Sequence, residues 1–107
     1  MANGLVFTAG QLPLDPETMT LVTGDVSVQT ERVMQNLAAV LAAAGSGFDQ
    51  VVKTTCFLID INDFTAFNAI YGRFMPDPPP ARSTFAVAAL PKGASVEIEA
   101  IAVRPRA

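Results

Sequence analysis

The sequence predicts an α+β fold in which two helices pack on one face of a mixed β-sheet. Two segments carry apolar residues at helical spacing, and runs of β-branched and apolar residues lie before, between and after them. Clusters of glycine and proline separate these segments, as turns require. The predicted order is β(β)αβαββ, in which the helices cover one face of the sheet and leave the other open.

The first strand is predicted over residues 4–10, where Gly10 ends an apolar run. The loop of residues 11–18 follows, and its two prolines cannot donate hydrogen bonds to a sheet. Residues 20–22 are predicted as a short return strand, which is the bracketed strand of the order.

The first helix is predicted to begin at Asp25 or Ser27, because either side chain can cap the first turn of a helix. Gly45 is predicted to end it, since glycine readily adopts the left-handed conformation that closes a helix. Its buried face repeats at helical spacing through Val26, Val33, Leu37, Val40, Leu41 and Ala44.

The rest of the chain is predicted as a central strand, a second helix and two final strands. Residues 51–59 are apolar on both faces, as in a strand inside a sheet. Asn62 is predicted to cap the second helix. The buried stripe of that helix consists of Phe64, Phe67, Ile70, Tyr71 and Phe74. Proline-rich residues 75–80 are predicted as a stiff connector to strands over residues 83–90 and 95–103.

The composition favours one domain, over residues 1–107, that contacts other copies of itself. A chain of 107 residues has room for a single hydrophobic core. Half of its residues are hydrophobic and only 16% are charged, which is a high apolar share for so small a protein. Burying the open face of the sheet against other copies would account for this excess.

The charged and reactive residues limit the partners, cofactors and catalytic groups that this protein can have. The net charge is −3 and the seven basic residues are scattered, so we expect no nucleic acid partner. The chain has no histidine, the commonest general base and metal ligand, and we expect neither a metal nor a cofactor. Its one cysteine, Cys56, is predicted to fill the core rather than to act as a nucleophile. With no long apolar segment, the protein is predicted to be cytoplasmic, without membrane contact.

Arg82 is the most informative residue, because it directly follows a proline run and precedes an apolar strand. A guanidinium can hold a carboxylate with two parallel hydrogen bonds. A rigid connector that brings this group to a strand edge favours capture of an anionic small molecule. A surface salt bridge is the alternative interpretation.

Glu97 and Glu99 are predicted to share one face of the last strand, roughly 6.5–7 Å apart, because side chains alternate along a strand. Apolar residues follow on that face, so it is not wholly solvated. Burial and mutual repulsion would raise the pKa of at least one carboxyl, and such a glutamate can hold or deprotonate a water. A solvated edge strand is the alternative for both residues. We expect Glu99 to pair with Arg82 or to contact another subunit.

Three further residues have a functional and a structural interpretation. Gly10 is either a strand-end glycine or the source of a backbone amide that binds an oxygen. Asn68 is either an exposed polar residue or a substrate ligand. Tyr71 is predicted to lie in the core or an interface rather than to act in catalysis.

The ordered set of motifs resembles the Rid family, the YjgF-like reactive imine deaminases, over essentially the whole chain. Each motif alone is weak, but the set in this order is specific. The matching residues are 8–16, 35–37, 51–55, 57–58, 63–64, 67–68, 71, 80–83, 90–92 and 97–102.

The resemblance implies a chorismate-mutase-like fold and a homotrimer with three clefts between subunits. It implies hydrolysis of 2-imino acids, such as 2-iminobutanoate and 2-iminopropanoate, to 2-keto acids and ammonia. At the matching positions, Arg82 would bind the substrate carboxylate and Glu97 would orient the attacking water. The Gly10 amide and Asn68 match positions at the substrate pocket.

The sequence departs from the family pattern at two places, which keeps other hypotheses open. Ala9 stands where many members have serine, and nothing ahead of the first strand matches the aromatic segment that lines the family's cleft. Both departures favour a second hypothesis, a non-catalytic trimeric module that binds keto acids or amino acids. A third hypothesis, an endoribonuclease or translation inhibitor, is the weakest because the chain is acidic and lacks histidine.

Overall fold

The computed structural model describes residues 2–105, in which a four-stranded sheet packs against two helices. The strands are β1 Leu5–Phe7, β2 Val51–Leu58, β3 Ala81–Ala86 and β4 Val96–Val103. The helices are α1 Val26–Ala43 and α2 Phe64–Phe74. Neither of these helices is long and apolar enough to cross a membrane.

The sheet is mixed and has the strand order β1-β4-β2-β3. β2 and β3 are parallel, with α2 in the connection between them, and β4 is antiparallel to both of its neighbours. The mixed sheet and its two helices confirm the predicted fold class. β2 lies inside the sheet, as its apolar sequence indicates.

Alternation along the strands decides which side chains meet the helices. Every second side chain of β2 and β4 is buried, namely Thr54, Cys56, Leu58, Val96, Ile98, Ala100 and Ala102. Most of them form one cluster with apolar residues of both helices, among them Met34, Leu37 and Phe67. Burial of each large apolar side chain in such a cluster stabilises the fold by about 1.5–3 kcal/mol.

The opposite face of the sheet, called the open face below, is not covered within the described residues. Phe7 and Phe85 are 56% and 52% exposed on it. Phe57 lies beside Phe85, with the ring centroids 6.5 Å apart. Exposed aromatic residues grouped in this way are typical of a contact surface.

Both ends of α1 follow from its sequence. Asp25 is the cap, because its carboxylate accepts a hydrogen bond from the Val28 amide at 3.1 Å. At the other end, Gly45 has a φ of +80° and donates to Ala42 O, and the next amide donates to Leu41 O. These two bonds form a Schellman motif, and they confirm that Gly45 ends the helix.

The prediction that Asn62 caps the second helix is wrong. The Asp60 carboxylate accepts a hydrogen bond from the Asn62 amide at 2.9 Å, and Ile61–Asp63 form a 3₁₀ turn. α2 begins at Phe64, after this turn. Asp60 thus starts a local turn, and this turn places Asp63 rather than Asn62 directly before α2.

The first strand and the return strand are shorter than predicted. β1 does not extend over all of residues 4–10, although Thr8 and Gln11 still form backbone hydrogen bonds with β4. The expected strand at residues 20–22 is reduced to a single bridge between Leu14 and Leu21. The prolines of the intervening loop deny it a regular ladder.

β3 covers Ala81–Ala86 instead of the predicted residues 83–90. It ends where its partner ends, since the last backbone bond joins the Val87 amide to Leu58 O at 2.7 Å. It also begins earlier than predicted. Arg82 is therefore a strand residue, held in a ladder, rather than the last residue of a loop.

Replacement of Asp25 by alanine tests the cap of α1. We expect D25A to lower the free energy of unfolding by about 1 kcal/mol, because an amide of the first turn loses its acceptor. Urea unfolding followed by circular dichroism measures this loss. S27A is the matched control, and a loss from S27A as large as that from D25A would contradict the assignment.

Candidate active site

Arg82 lies on the helix-covered side of the edge strand β3. Its register partner in β2 is Thr54, whose side chain is buried under the helices. The Arg82 Nη1 donates a hydrogen bond to Asn68 Oδ1 at 2.6 Å. The guanidinium carbon lies 5.2 Å from the centroid of the Phe64 ring and 4.7 Å from that of Tyr71.

Helix α2 supplies all three of these contacts from one stripe. Phe64, Asn68 and Tyr71 are spaced four and three residues apart, which places them on one helical face. The Tyr71 ring is buried, and its hydroxyl shares a 2.7 Å hydrogen bond with Thr54 Oγ1. We call Arg82 and its three contacts on α2, Phe64, Asn68 and Tyr71, the Arg82 half-site.

A cavity of about 500 Å³ opens beside the Arg82 half-site. Its wall consists of Asn68, Tyr71, Gly72, Met75, Pro76, Asp77, Pro79, Pro80 and Arg82. In the described part of the chain, the one ion pair within 4.0 Å joins Arg73 to Glu31. Arg82 therefore borders the cavity with no carboxylate of residues 2–105 within 4.0 Å of its guanidinium, although Asp77 lies in the wall of the same cavity.

Glu97 and Gly10 form a second group of contacts, the Glu97 half-site. An ideal Cβ placed on Gly10 would overlap Glu97 Oε2 and would lie 2.8 Å from Glu97 Cδ. The carboxylate thus occupies the space that any other residue at position 10 would fill. The backbone amide of Gly10 makes no hydrogen bond with another described residue, so it remains available as a donor.

The surroundings of Glu97 make its carboxyl harder to ionise than that of an ordinary glutamate. Partial burial raises the pKa of this carboxyl above that of an ordinary glutamate, and the charge of Glu99 raises it further. Glu97 lies between buried Val96 and Ile98, so it projects to the open face, as does Glu99. The prediction that the two glutamates share a face is confirmed.

The two half-sites lie on opposite faces of the sheet. Arg82 projects to the helix side with Thr54, whereas Glu97 projects to the open face beside its register partner Phe57. The structure thus brings Arg82 to Asn68 and Glu97 to Gly10, but it does not bring the two pairs together within one chain. For the same reason, Glu99 does not pair with Arg82 of its own chain, where the guanidinium bonds Asn68 instead. The other expectation for Glu99, a contact with another subunit, stays a prediction.

Asn36 is a positioning residue that sequence reasoning did not single out. Its side-chain amide donates to Leu12 O at 3.1 Å and to Leu14 O at 2.8 Å. It thereby fixes the loop that follows Gly10 against α1. Because Asn36 lies on a helix and its partners are backbone carbonyls, the sequence carries no signal of this contact beyond the family motif.

Cys56 lies in the core, as predicted. Its side chain is fully buried, and burial raises the pKa of the thiol to about 11. The thiolate form that attacks electrophiles is therefore scarce at neutral pH. This favours the structural interpretation of Cys56 over the nucleophilic one.

Comparison with known proteins identifies the family. The sequence matches the family described as Endoribonuclease L-PSP over residues 1–104. It is 56% identical to Protein DfrA of Myxococcus xanthus, covering 95% of this chain and 78% of that protein. It is 43% identical to the 2-iminobutanoate/2-iminopropanoate deaminase of Homo sapiens, covering 97% of this chain and 76% of that protein.

A solved structure agrees with these relationships. The crystal structure of E. coli TdcF with bound serine superposes with a TM-score of 0.89 at 39% identity, covering 98% of this chain and 84% of that one. This chain therefore belongs to the endoribonuclease L-PSP family, which confirms the resemblance to Rid proteins found in its motifs.

Proposed function

We propose that the protein hydrolyses 2-imino acids to 2-keto acids and ammonia, and that Arg82 binds the carboxylate of the substrate. The observation that carries this proposal is the Arg82 guanidinium, held at the wall of a cavity with no carboxylate of residues 2–105 within 4.0 Å. The name of the human relative, a 2-iminobutanoate/2-iminopropanoate deaminase, supports the substrate class.

The Arg82 half-site suits a planar anion. One N–H of the guanidinium is used by Asn68, and the rings of α2 cover part of its surface. The remaining N–H groups can form two parallel hydrogen bonds with a carboxylate, which a lysine ammonium cannot do in the same geometry. The apolar wall around Met75 and Pro76 suits a short alkyl chain on the substrate.

The Glu97 half-site suits activation of water. A glutamate with a raised pKa is a better proton acceptor than an ordinary one, provided that the pH lies above that pKa. The Gly10 amide beside it can donate a hydrogen bond to the same water or to the oxygen that forms. Asn68 contributes to substrate binding through its contact with Arg82.

We further propose a homotrimer in which the Arg82 half-site of one copy faces the Glu97 half-site of the next. The two half-sites are different surface patches on opposite faces of the sheet, so a contact between them is head-to-tail and closes into a ring when the rotation permits. Their charges are opposite, which favours this contact. The same arrangement buries Phe7 and Phe85, which are exposed in the single chain.

The reaction needs only water and the bound iminium form of the substrate. Water adds to carbon 2 of the iminium and gives its proton to the Glu97 carboxylate. Glu97 then returns that proton to the nitrogen of the resulting carbinolamine, and ammonia leaves. The departing ammonia takes the proton of the hydroxyl group and becomes ammonium, and the product is a 2-keto acid. Each turnover consumes one water and restores the Glu97 carboxylate, so positioning and one general base are sufficient.

Two alternative functions, a non-catalytic binding module and RNA cleavage, have to be distinguished from the deaminase by experiment. The bound serine of TdcF favours a non-catalytic module that binds amino acids, which would bind ligands without turnover. The family description favours RNA cleavage, but the net charge of −3 and the lack of histidine in this chain do not support it. Purified protein assayed with 2-iminobutanoate generated in situ separates these possibilities from the deaminase.

Replacement of Arg82 tests binding of the substrate carboxylate. We expect R82A to lower kcat/KM by about 100-fold or more, because two charge-assisted hydrogen bonds are lost. R82K keeps the charge but not the planar fork, so we expect an intermediate loss that appears mainly in KM. Steady-state hydrolysis of 2-iminobutanoate measures both.

R73A is the matched control for the Arg82 variants. Arg73 lies on α2 as well, but it pairs with Glu31 on the surface, away from the cavity wall. We expect R73A to keep the wild-type rate. Wild-type clearance of the imine by R82A would rule out the proposed role of Arg82.

The pH dependence of the reaction tests Glu97. The carboxylate form is the active one, so kcat/KM falls as the pH decreases through the raised pKa of Glu97. E99Q removes the neighbouring negative charge, lowers that pKa, and shifts the acidic limb of the profile to lower pH. We expect E97Q to lower kcat/KM by on the order of 10²–10⁴-fold and to abolish this limb.

E17Q is the control for the charge change of E99Q, since Glu17 is exposed in the loop after β1. It should leave the profile unchanged. An acidic limb that stays in place in E99Q, or one that survives in E97Q, would show that another group titrates.

Mixing two inactive variants tests the shared site. R82A and E97Q each lack one half-site, but a mixed trimer contains some clefts with Arg82 from one copy and Glu97 from another. Random co-assembly at equal amounts should restore about a quarter of the wild-type rate. A site contained within one chain would give no recovery above the sum of the two variants.

A further inference from the structure

We propose that Phe64 and Tyr71 act as an aromatic clamp that positions the Arg82 guanidinium for an anionic ligand, and that Thr54 fixes the clamp to the sheet. This inference rests on the proposed function, because it explains how Arg82 is prepared to bind a carboxylate. It assigns a positioning role to two aromatic residues that the sequence places only in the buried stripe of α2.

The distances support an attraction between the guanidinium and both rings. The Arg82 Cζ lies 5.2 Å from the Phe64 centroid and 4.7 Å from the Tyr71 centroid, and a cation within about 6 Å of a ring face is attracted by it. An unrestrained arginine samples many rotamers, and ordering it on binding weakens affinity. The clamp restricts this freedom before the ligand arrives.

The third contact of the guanidinium leaves its charge intact. Asn68 Oδ1 accepts one hydrogen bond at 2.6 Å and carries no net charge. A carboxylate at that position would neutralise Arg82 and compete with the ligand. Two rings and an amide therefore hold the group in place while its charge stays available to the cavity.

Thr54 connects the clamp to the sheet. Its Oγ1 shares a 2.7 Å hydrogen bond with the Tyr71 hydroxyl, and it is the register partner of Arg82. Thr54 is fully buried, and the Phe67 ring packs 5.5 Å from the Tyr71 ring on the core side. Tyr71 is thus fixed at both its hydroxyl and its ring, next to the strand that carries Arg82.

Leucine variants of the clamp residues remove the ring faces while keeping apolar side chains. We expect Y71L and F64L each to raise KM for 2-iminobutanoate, and the Kd for 2-ketobutanoate measured by calorimetry, by about 3- to 10-fold. The value of kcat should stay within about twofold, because the substrate and its transition state use the same carboxylate contact. Y71F keeps the ring and should lie closer to the wild type than Y71L does.

F48L is the matched structural control. Phe48 is a partly buried aromatic residue that packs on the core and pairs with Phe74, but it does not contact Arg82. Loss of its ring should lower the melting temperature without changing KM. If F48L raises KM as much as Y71L and F64L do, the effect comes from loss of packing and the clamp is wrong.

The NMR chemical shifts of Arg82 test the aromatic clamp independently of catalysis. Ring currents from Phe64 and Tyr71 should shift the Arg82 δ-proton and Nε–H resonances of the wild-type protein upfield, and each leucine variant should reduce the shift. The resonances are assigned by their disappearance in R82K. Unshifted resonances in the wild type would overturn the clamp, whatever the enzyme assay gives.

The two proposals can fail separately. If the wild type neither hydrolyses the imine nor binds 2-ketobutanoate, the proposed function fails, and the Arg82 resonances still decide whether the rings hold the guanidinium. If the wild type is active and Y71L and F64L keep the wild-type KM, Kd and Arg82 resonances, the deaminase proposal stands and the clamp is wrong.

Discussion

The register of the sheet determines on which face the cation, Arg82, and the acid, Glu97, lie. Thr54 and Arg82 are partners across β2 and β3, and both project toward the helices, whereas Phe57 and Glu97 are partners across β2 and β4 and project to the open face. Side chains alternate along a strand, so a shift of one residue in either pairing would exchange these faces. Such a shift would also expose the apolar residues of the core, and the packing of the helices therefore fixes the positions of the cation and the acid.

Neither Arg82 nor Glu97 has an oppositely charged partner within 4.0 Å in the described chain. The neighbours of the Arg82 guanidinium are rings and an amide oxygen, and the charged neighbour of Glu97 is another carboxylate. Both side chains are partly exposed, so the missing partners cost little folding free energy, because an unpaired charge destabilises the fold mainly when it is withdrawn from water. Closure of a cleft around the two half-sites would strengthen their attraction for a zwitterionic ligand as water leaves.

The sequence predicted features that depend on local chemistry, and it failed where a distant partner decides. The end of α1 at Gly45 follows from one residue and its conformation, and the shared face of Glu97 and Glu99 follows from alternation. The end of β3 depends on where β2 ends, which no local pattern records. The Asn62 cap failed for a local reason instead, because Asp60 starts a 3₁₀ turn over Ile61–Asp63 that delays the start of α2 to Phe64.

The same distinction holds for the candidate site. Residue type and position singled out Arg82 and Glu97, and the family resemblance added Gly10 and Asn68, but neither showed which of these residues meet. Helical periodicity placed Tyr71 in a buried stripe, and it is buried there, although its ring also faces Arg82. Periodicity reports which face of a helix is covered and not what covers it, so a ring that packs on the core and a ring that holds a cation have the same pattern. The register of β3 against β2 tells these two kinds of ring apart. It makes Arg82 the partner of Thr54, whose hydroxyl bonds Tyr71, and so brings the guanidinium to the Tyr71 ring.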